Sequence, residues 1–520
     1  MRARALVICS VAAALLASAA PASGASKNVR LVDNLPELSN ATAINFMRYG
    51  KLDVMLVTGR FGLRTYSLAK PANPRMLDQL TAEDLRLDGD PAVDFSPDAN
   101  GTPVSTFWQN EDMDVDRRRK LALLSRDPRA YRGSTTRDPG QPDPNNATNI
   151  AGVYIVDAKD PRDLKLLTFQ QLPTGHTTTC INGCRYLWTG GPASTTSQAN
   201  GPPQWRFGRP IIVTDLKDPR RPVAHTDRPV DLFRRDGVTA YSHDVDVDAR
   251  GVAWVSGDGG TRGYWTSGLH HDPLRGEVRR AHPLNPIAYA GGGLEQTVTG
   301  DNTGGFEHNA VRPVGRSAPR GDARYRRGEL LLATEEDFGP ATEACRNRGK
   351  FTIASLEGSY NGEAWHSRPT QPFRLKTVGS WSPYAMEGSR PAGTYHRLAD
   401  FCSAHYFDVR GSQVAYAWYG EGTRFLDVSN PVLPRQYAYW RPDDGIVWAS
   451  YFRGRYIYTA DRIRGVDVLR LTKGARAARA SGREVVAPPP SARQRRFIAQ
   501  QRASAWADPA TAGLCYLQSQ

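Results

Sequence analysis

The sequence predicts an all-β fold, a seven-bladed β-propeller closed by its N-terminal strand. Three observations lead to this prediction. The 520 residues include 48 Gly and 37 Pro, a composition that favours many short strands joined by turns. Two short phrases recur along the chain, as they do in proteins built from repeated units. The last unit is one strand short, and a matching strand stands near the front of the chain.

The first phrase contains a His, alternating residues, a small turn and a second β-rich run that ends in Gly. Its clearest copy is AYSHDVDVDARGVAWVSGDGG, residues 240–260. It returns as GHTTTCINGCRYLWTGG from Gly175 and as AHYFDVRGSQVAYAWYG from Ala404. We interpret it as the opening hairpin of each unit.

The second phrase is a β run ending in Asp, an Asp-Pro or Asn-Pro turn, and another β run. It reads VYIVDAKDPRDLKLLTF from Val153, PIIVTDLKDPRRPVAHT from Pro210 and TRFLDVSNPVLPRQYAYW from Thr423. Proline fixes φ and the preceding Asp or Asn tolerates turn geometry, so the phrase predicts two strands around a tight turn. A weaker copy starts at Leu63. The turn is missing around residues 262–300 and 351–380.

Pairing the two phrases predicts seven units, each a four-stranded blade. They open near Asn45, Glu111, His176, His243, His308, His405 and Val447. Blade two carries an insertion at roughly residues 125–149, which we expect to be a surface loop. Blade seven supplies only three strands. KNVRLVDNLPE resembles the DLKLLTFQQLPT that closes blade two, so Val29 to Asp33 is predicted to complete the last blade and remove the open sheet edges.

The two ends of the chain differ from the blades. Residues 1–26 are predicted to be a secretory signal, because Arg2 and Arg4 precede an apolar segment and small residues from Ala17 to Ala25 offer cleavage sites. We therefore expect a secreted, extracellular protein. No later segment is long and apolar enough to span a bilayer. Residues 27–472 would form the propeller, and residues 473–520 a tail rich in Pro, Ala and Arg. In that tail, Pro488 to Pro490 reads as a linker and Gln494 to Trp506 as a short helix, with no catalytic role.

Five cysteines follow the predicted signal, and export makes disulfides plausible. Cys180 and Cys184 flank a tight turn and are predicted to form a local bridge. Cys345 and Cys402 are predicted to form a second disulfide, which leaves Cys515 without a predicted partner. The Cys-x3-Cys spacing has no matching second pair, so a cysteine metal site is not favoured.

The formal net charge is +14, with much of the excess in Arg-rich loops and in the tail. We interpret this charge as a solvated basic surface, which anionic cell-wall polymers would attract. No nucleic-acid motif is present, and export argues against such a partner. The expected partner is a small molecule or an extracellular polymer. A ring of nearest-neighbour blades is stable alone, so we expect a monomer.

The second phrase resembles the LVIVD repeat of bacterial secreted β-propeller proteins. The resemblance covers most of residues 40–470 and is specific in the copies beginning at Val153, Pro210 and Thr423. It implies a propeller fold but no single biochemical activity.

One position recurs when the opening phrases are aligned on the glycine that ends the second strand. His243 lies fourteen positions before Gly257, His176 fourteen before Gly190 and His405 fifteen before Gly420. His308 occupies it in blade five, and NEDMDVD overlays SHDVDVD to put Glu111 there in blade two. Blade one offers Asn45, and blade seven Val447 or Trp448. The first strand of a propeller blade lines the axis, so these side chains should converge.

Imidazole nitrogens and a carboxylate suit copper, iron or zinc. We therefore predict a transition-metal site in which His176, His243, His308 and His405 are ligands and Glu111 is a ligand or a catalytic base. The imidazoles should approach within about 4–5 Å of one another. The layout resembles that of carotenoid cleavage oxygenases, seven-bladed propellers with four axial His ligands, and more loosely the selenium-binding protein and methanethiol oxidase group. This resemblance is one of layout and not of contiguous motif, so neither family's activity follows from it; an oxidase or oxygenase is the activity that we expect of such a metal site.

A structural interpretation remains open beside the metal site. This His is often part of the repeat itself, and His243 shares a strand face with Val245 and Val247, so it could be buried and hydrogen-bonded between blades. The protein would then be a non-catalytic extracellular binding or scaffolding propeller. Acidic residues near the slot would orient ligating imidazoles, or form an acidic turn in the case of residues 335–337. They are Asp244, Asp246, Glu307, Glu335, Glu336 and Asp337. Five further histidines are expected in surface loops, namely His270, His271, His282, His366 and His396.

Overall fold

The computed structural model describes most of the chain, in fourteen stretches. These are residues 24–88, 90, 111–127, 150–191, 210–231, 242–257, 260–273, 275–291, 306–315, 319, 321–336, 349–357, 373–383 and 403–507. The predicted signal up to residue 23, most of the blade-two insertion and three cysteines (Cys345, Cys402 and Cys515) lie outside them.

The described strands form a seven-bladed β-propeller of antiparallel sheets. Blade one contains β3 (Ala41–Tyr49), β4 (Leu52–Gly59), β5 (Gly62–Ser67) and β6 (Arg75–Thr81). Blade two contains β7 (Met113–Asp116), β8 (Leu121–Arg126), β9 (Ala151–Asp157) and β10 (Lys165–Leu172). Blade three contains β11 (Thr177–Ile181), β12 (Tyr186–Gly190), β13 (Pro210–Asp215), β14 (Val223–Ala224) and β15 (Val230–Asp231).

The remaining four blades repeat the pattern, with additions in blades four and six. Blade four contains β16 (Ser242–Val247), β17 (Val252–Gly257), β18 (Gly260–Trp265) and β21 (Ile287–Ala290), with the hairpin β19 (Leu269–Asp272) and β20 (Glu277–Arg280) inserted. Blade five contains β22 (Phe306–Val311), β23 (Leu330–Glu336), β24 (Phe351–Glu357) and β25 (Arg374–Trp381). Blade six contains β26 (Phe407–Arg410), β27 (Gln413–Ala417), β28 (Thr423–Asp427), β29 (Arg435–Pro442) and β1 (Gly24–Lys27). Blade seven contains β30 (Val447–Arg453), β31 (Tyr456–Asp461), β32 (Gly465–Leu471) and β2 (Val29–Leu35).

The N-terminal segment closes the ring, as predicted. Strand β2 pairs with β32 from Val29 opposite Leu471 to Leu35 opposite Val466. Strand β1, which was not predicted, adds a fifth strand to blade six along β29. A Cβ on Gly24 would come within 2.6 Å of the Arg441 carbonyl oxygen, so this close approach requires glycine. A signal cleaved after Ser26 would remove most of β1, whereas cleavage before Gly24 would keep it.

The hydrophobic cores lie between neighbouring blades. Blades five and six, for example, share a cluster in which Leu332 and Phe351 pack against Tyr416 and Trp418, all fully buried. Each blade therefore depends on its neighbours, which is why the closing strand matters.

The local disulfide between Cys180 and Cys184 is confirmed, with a Cα–Cα distance of 4.3 Å. It spans the turn between β11 and β12, where Asn182, Gly183 and Cys184 have positive φ. The second predicted pair and Cys515 lie outside the described residues.

Four short helices complete the described part of the chain. A 3-10 helix (Pro36–Leu38) and α1 (Ala323–Arg327) lie within the propeller, and α2 (Lys473–Ala480) and α3 (Ala492–Ala507) form the tail. The short helix expected in the tail is confirmed as α3. The tail packs on the propeller, because the Gln494 side chain donates to the Gly420 carbonyl at 2.6 Å and Ile498 joins the core around Tyr419. None of these helices combines the length and the apolar character needed to cross a membrane.

Candidate metal centre

A β-bulge at the start of the inner strand presents one side chain per blade to the axis. The ladder between the first two strands skips Thr42 in blade one, His243 in blade four, His308 in blade five and Trp448 in blade seven. A bulge leaves its extra residue unpaired and re-aims the side chain. In the other three blades the equivalent residue lies just before the described strand. We call these seven positions the axial slot: Thr42, Glu111, His176, His243, His308, His405 and Trp448.

The prediction of Asn45 for blade one is wrong. Strand β3 has nine residues, whereas β16 of blade four has six. A count of fourteen positions back from Gly59 therefore ends at Asn45, three residues after the equivalent position. Thr42 occupies the slot instead. In blade seven the ladder pairs Val447 with Asp461 and skips Trp448, which decides between those two candidates.

The structure brings the five predicted site residues together around the Glu111 carboxylate. The Nε2 atom of His176 lies 2.6 Å from Glu111 Oε2. The Nε2 atoms of His243, His308 and His405 lie 3.6, 2.8 and 3.0 Å from Glu111 Oε1. Successive imidazole centroids are 4.7, 4.3 and 3.8 Å apart around the ring. All five side chains are at most 1% exposed.

Hydrogen bonds on the far side of three imidazoles set their orientation. The Nδ1 atom of His176 lies 2.7 Å from Asp127 Oδ2, that of His243 lies 2.9 Å from the His308 carbonyl oxygen, and that of His405 lies 2.6 Å from the Trp448 carbonyl oxygen. Carboxylate and carbonyl oxygens only accept, so the network assigns the proton to Nδ1 in each ring. In the neutral form each Nε2 then presents a lone pair to the axis, the arrangement typical of ligating histidines.

Glu336 supplies a further carboxylate that could ligate a metal; the sequence alone did not decide between this role and an acidic turn. It ends β23, and its oxygens lie 3.7 Å from His308 Nε2 and 4.0 Å from His405 Nε2. The Tyr419 hydroxyl donates to it. The acidic-turn interpretation is therefore wrong for Glu335 and Glu336, which are buried strand residues. Asp337 lies outside the described residues.

Two overlapping sets of donor atoms result, each with all atoms within 4.8 Å of one another. One comprises Glu111, His243 and His308, and the other comprises His308, Glu336 and His405. They share His308, so they form one cluster. His176 belongs to neither set, but it contacts Glu111 directly.

Charge in the cluster is divided unevenly. Burial opposes ionisation of Glu111, but His176 and His243 outweigh it and hold the pKa of this carboxyl well below its usual range. Burial also opposes the charged form of His176, yet Glu111 and Asp127 raise its pKa to about 9. Burial lowers the pKa of His243 to about 4, and it lowers the pKa values of His308 and His405 as well. At neutral pH the cluster thus contains a carboxylate, one imidazolium and three neutral imidazoles.

Asp127 and two backbone carbonyls, none of which was predicted, orient His176, His243 and His405. Of the acidic residues predicted for this role, Asp244 and Asp246 face an axial cavity, and Glu336 lies beside His308 and His405. Glu307 lies opposite Glu335 in the ladder. Sequence spacing gave no signal for Asp127, because it follows β8 and belongs to neither repeated phrase.

His270 and His271, which were expected in surface loops, lie instead on strand β19 of the β19–β20 hairpin, where His270 stacks on Trp265 with centroids 4.1 Å apart. His282 is exposed and contacts Tyr186. His366 and His396 lie outside the described residues.

Fold and cluster together define a β-propeller with a buried His/Glu cluster on its axis. No known protein family matches the chain, so its resemblance to the LVIVD repeat is not confirmed. No curated protein matches it either. The chain is similar in structure to the β-propeller domain of Cps50 (Swd1) from Myceliophteria thermophila, at 9% identity and a TM-score of 0.42, over 83% of this chain and 96% of that one. It is also similar to the periplasmic gluconolactonase PpgL of Pseudomonas aeruginosa, at 10% identity and a TM-score of 0.39, over 76% and 85%. At such low similarity neither likeness carries an argument about function.

Proposed function

We propose that the protein binds one transition-metal ion on the propeller axis. The ligands would come from the Nε2 atoms of His176, His243, His308 and His405 and from the carboxylate of Glu111, with Glu336 beside them. One observation supports this most strongly: hydrogen-bond acceptors face one another at the centre. His405 carries its proton on Nδ1, yet its Nε2 lies 3.0 Å from a Glu111 oxygen.

Two facing lone pairs in a buried site repel each other unless a cation lies between them. Ligands bound to one metal at about 2.0–2.2 Å stand about 3 Å from one another. The observed spacings of 2.8 and 3.0 Å fit that requirement without rearrangement.

The donor set also limits the metal. Imidazole and carboxylate without sulfur suit iron, copper, zinc or manganese. A bound iron or copper ion would supply redox chemistry of the oxidase or oxygenase kind, and zinc would act as a Lewis acid. Glu111 fits a ligand better than a base, because its low pKa makes it a weak proton acceptor.

Export and family membership belong to the same proposal. The leader-like residues 1–26 support secretion, and the Cys180–Cys184 disulfide is of a kind that persists outside the cytosol. The recurring Asp-Pro phrases support membership of the LVIVD-repeat propellers.

The alternative is a binding or scaffolding propeller with structural histidines. The Nδ1 bonds of His243 and His405 to carbonyls of the next blade favour it, because they tether neighbouring blades. Such tethers use one ring nitrogen each, however, and do not explain why the other nitrogens converge on Glu111.

Elemental analysis of the natively purified protein separates the two. We expect near-stoichiometric iron, copper or zinc, which is lost in the His243→Ala, His308→Ala double variant. The matched control is a His225→Ala, His282→Ala double variant, which removes two histidines away from the axis and should retain the metal. A metal-free protein whose stability does not change on chelation, and whose melting temperature no added metal raises, would establish the structural alternative.

A further inference from the structure

Beyond the axial slot, the inner strands enclose a cavity of about 790 Å³. Residues that follow the slot in several blades line it, and the turns between first and second strands contribute arginines at one end. Six aspartates line it, from blades two, four and six: Asp112, Asp114, Asp116, Asp244, Asp246 and Asp408, of which Asp116 forms an ion pair with Arg119. Aromatic side chains, among them Tyr406 and Tyr451, form other parts of the wall.

Two of these carboxylates have a structural task. Asp114 accepts the backbone N–H of Cys180 at 2.8 Å, and Asp408 accepts that of Phe452 at 2.8 Å. Each bond joins the inner strand of one blade to that of the next. These two aspartates would be needed in any propeller with this packing.

Asp244 and Asp246 have no comparable task. Each accepts the backbone N–H of the residue that follows it, and neither forms an ion pair with Lys or Arg among the described residues. Asp244 is only 6% exposed. Arg117, Arg118 and Arg453 also line the cavity, and Arg117 partly offsets the rise that burial causes in the pKa of Asp114. Burial and neighbouring carboxylates instead dominate at Asp244 and Asp246, and they raise the pKa of Asp246 to about 7.

The lining suits an organic cation better than a metal ion. Within the described residues, the only groups of three metal-ligating side chains close enough to hold an ion consist of axial-slot residues and Glu336, and no cavity aspartate belongs to them. The cavity is far larger than a dehydrated ion, since even a water molecule occupies only about 30 Å³. Aromatic faces next to dispersed carboxylates are the surroundings that ammonium groups prefer.

We propose that the axial cavity binds an organic ammonium compound, with Asp244 and Asp246 balancing its charge and Tyr451 contacting its apolar groups. The Tyr406 ring separates this cavity from the slot, with its centroid 4.5 Å from that of His308 and 4.9 Å from that of His405. An ammonium-bearing substrate would therefore lie next to the cluster. That last step rests on the metal centre proposed above, whereas binding itself does not.

Calorimetric titration with choline chloride tests the binding. The quaternary nitrogen has no lone pair for a metal, so the signal reports the cavity alone. The neutral isostere 3,3-dimethylbutan-1-ol, titrated at the same ionic strength, should bind at least tenfold more weakly. Asp244→Asn and Asp246→Asn should each weaken choline binding about tenfold, whereas Asp218→Asn, in an exposed turn, should leave it unchanged. Tyr451→Leu should weaken it about threefold, and Tyr451→Phe should retain it.

Several results would overturn the inference. They are no choline binding to the wild type, equal binding of choline and its isostere, or binding that survives both aspartate substitutions. Calcium binding without choline binding would make the cavity a site for inorganic cations instead. Each titration is run on the protein as purified and after chelation, with metal content measured in parallel. Choline binding to a metal-free protein would support the cavity and refute the centre, and a metal-loaded protein that ignores choline would do the reverse.

Discussion

The axial slot and the axial cavity belong to the same inner strands, yet their surroundings shift the pKa values of buried carboxyls in opposite directions. In the slot, Glu111 is surrounded by imidazoles that hold its pKa well below its usual range. In the cavity, burial and like charges raise the pKa of Asp246 to about 7. His243 and Asp246 are three residues apart on one strand. A bulge and a few residues of register thus separate a carboxylate that imidazoles stabilise from one whose ionisation burial and like charges oppose.

The largest expected effect on stability comes from removing the negative charge of the slot. Glu111→Gln keeps the shape of the side chain but removes the charge that balances the His176 imidazolium. Loss of one partner from a buried charge pair costs about 3–5 kcal/mol, so we expect the free energy of unfolding of the chelated protein to fall by about 3 kcal/mol. Urea denaturation measures it. The control Glu329→Gln removes an exposed partner of Arg327 and should cost less than about 1 kcal/mol. Equal losses would mean that the slot charges are not coupled.

The second effect concerns the outer support of the slot. Asp127→Asn still offers an oxygen to His176 Nδ1 but removes the charge. Because Asp127 is one of the groups that raise the pKa of His176 to about 9, that pKa should fall, which a histidine NMR titration would detect. Partners of this kind affect metal affinity by about 10–100-fold, so competition with a chelator should show weaker metal binding. An unchanged His176 titration would show that Glu111 alone sets its charge.

The third substitution should stabilise the folded protein instead of destabilising it, because it removes the carboxyl of Asp246, whose ionisation burial and like charges oppose. Asp246 has a folded-state pKa near 7 against an ordinary value of 3.8. Between these values the folded state holds a proton that the unfolded state has released, so wild-type stability falls as pH rises from about 4 to 7. Asp246→Asn should abolish that fall and be more stable by about 1–2 kcal/mol at pH 8, with no difference at pH 3.5. Urea denaturation across this range measures it. A variant that is less stable at pH 8 would show that the carboxylate has a cationic partner.

The contrast between slot and cavity was only half visible in the sequence. Repetition revealed the blades, the closing strand and five of the seven slot residues, because equivalent positions in equivalent hairpins must point the same way. Thr42 was missed because the first hairpin of blade one is longer than that of blade four, so the slot residue lies more than fourteen positions before the closing glycine. Strand β1 was missed because it adds a fifth strand to blade six, beyond the four-stranded pattern of the repeat.

Residues that reach the site from outside the repeat could not be predicted by counting. Asp127 follows the second strand of blade two and Glu336 ends that of blade five, and they meet the slot only after the blades pack. Each was visible as an acidic residue at the end of a buried strand, a pattern that fits an exposed turn equally well. The cavity aspartates were visible too, but their proximity to one another is a property of the whole ring.

The smallest expected effect lies where the tail meets the slot. Tyr419 has φ of 32°, unusual for a residue with a side chain, and its hydroxyl donates to Glu336 while its ring contacts Trp448 and His405. Ile498 of α3 packs in the same core. Tyr419→Phe keeps that packing and removes one donor, so it should cost about 1 kcal/mol or less of stability. If Glu336 is a ligand, the freed carboxylate should bind the metal more tightly. If it only accepts this bond, metal affinity should not change while the free energy of unfolding falls, so measuring both quantities in one variant assigns the role of Glu336.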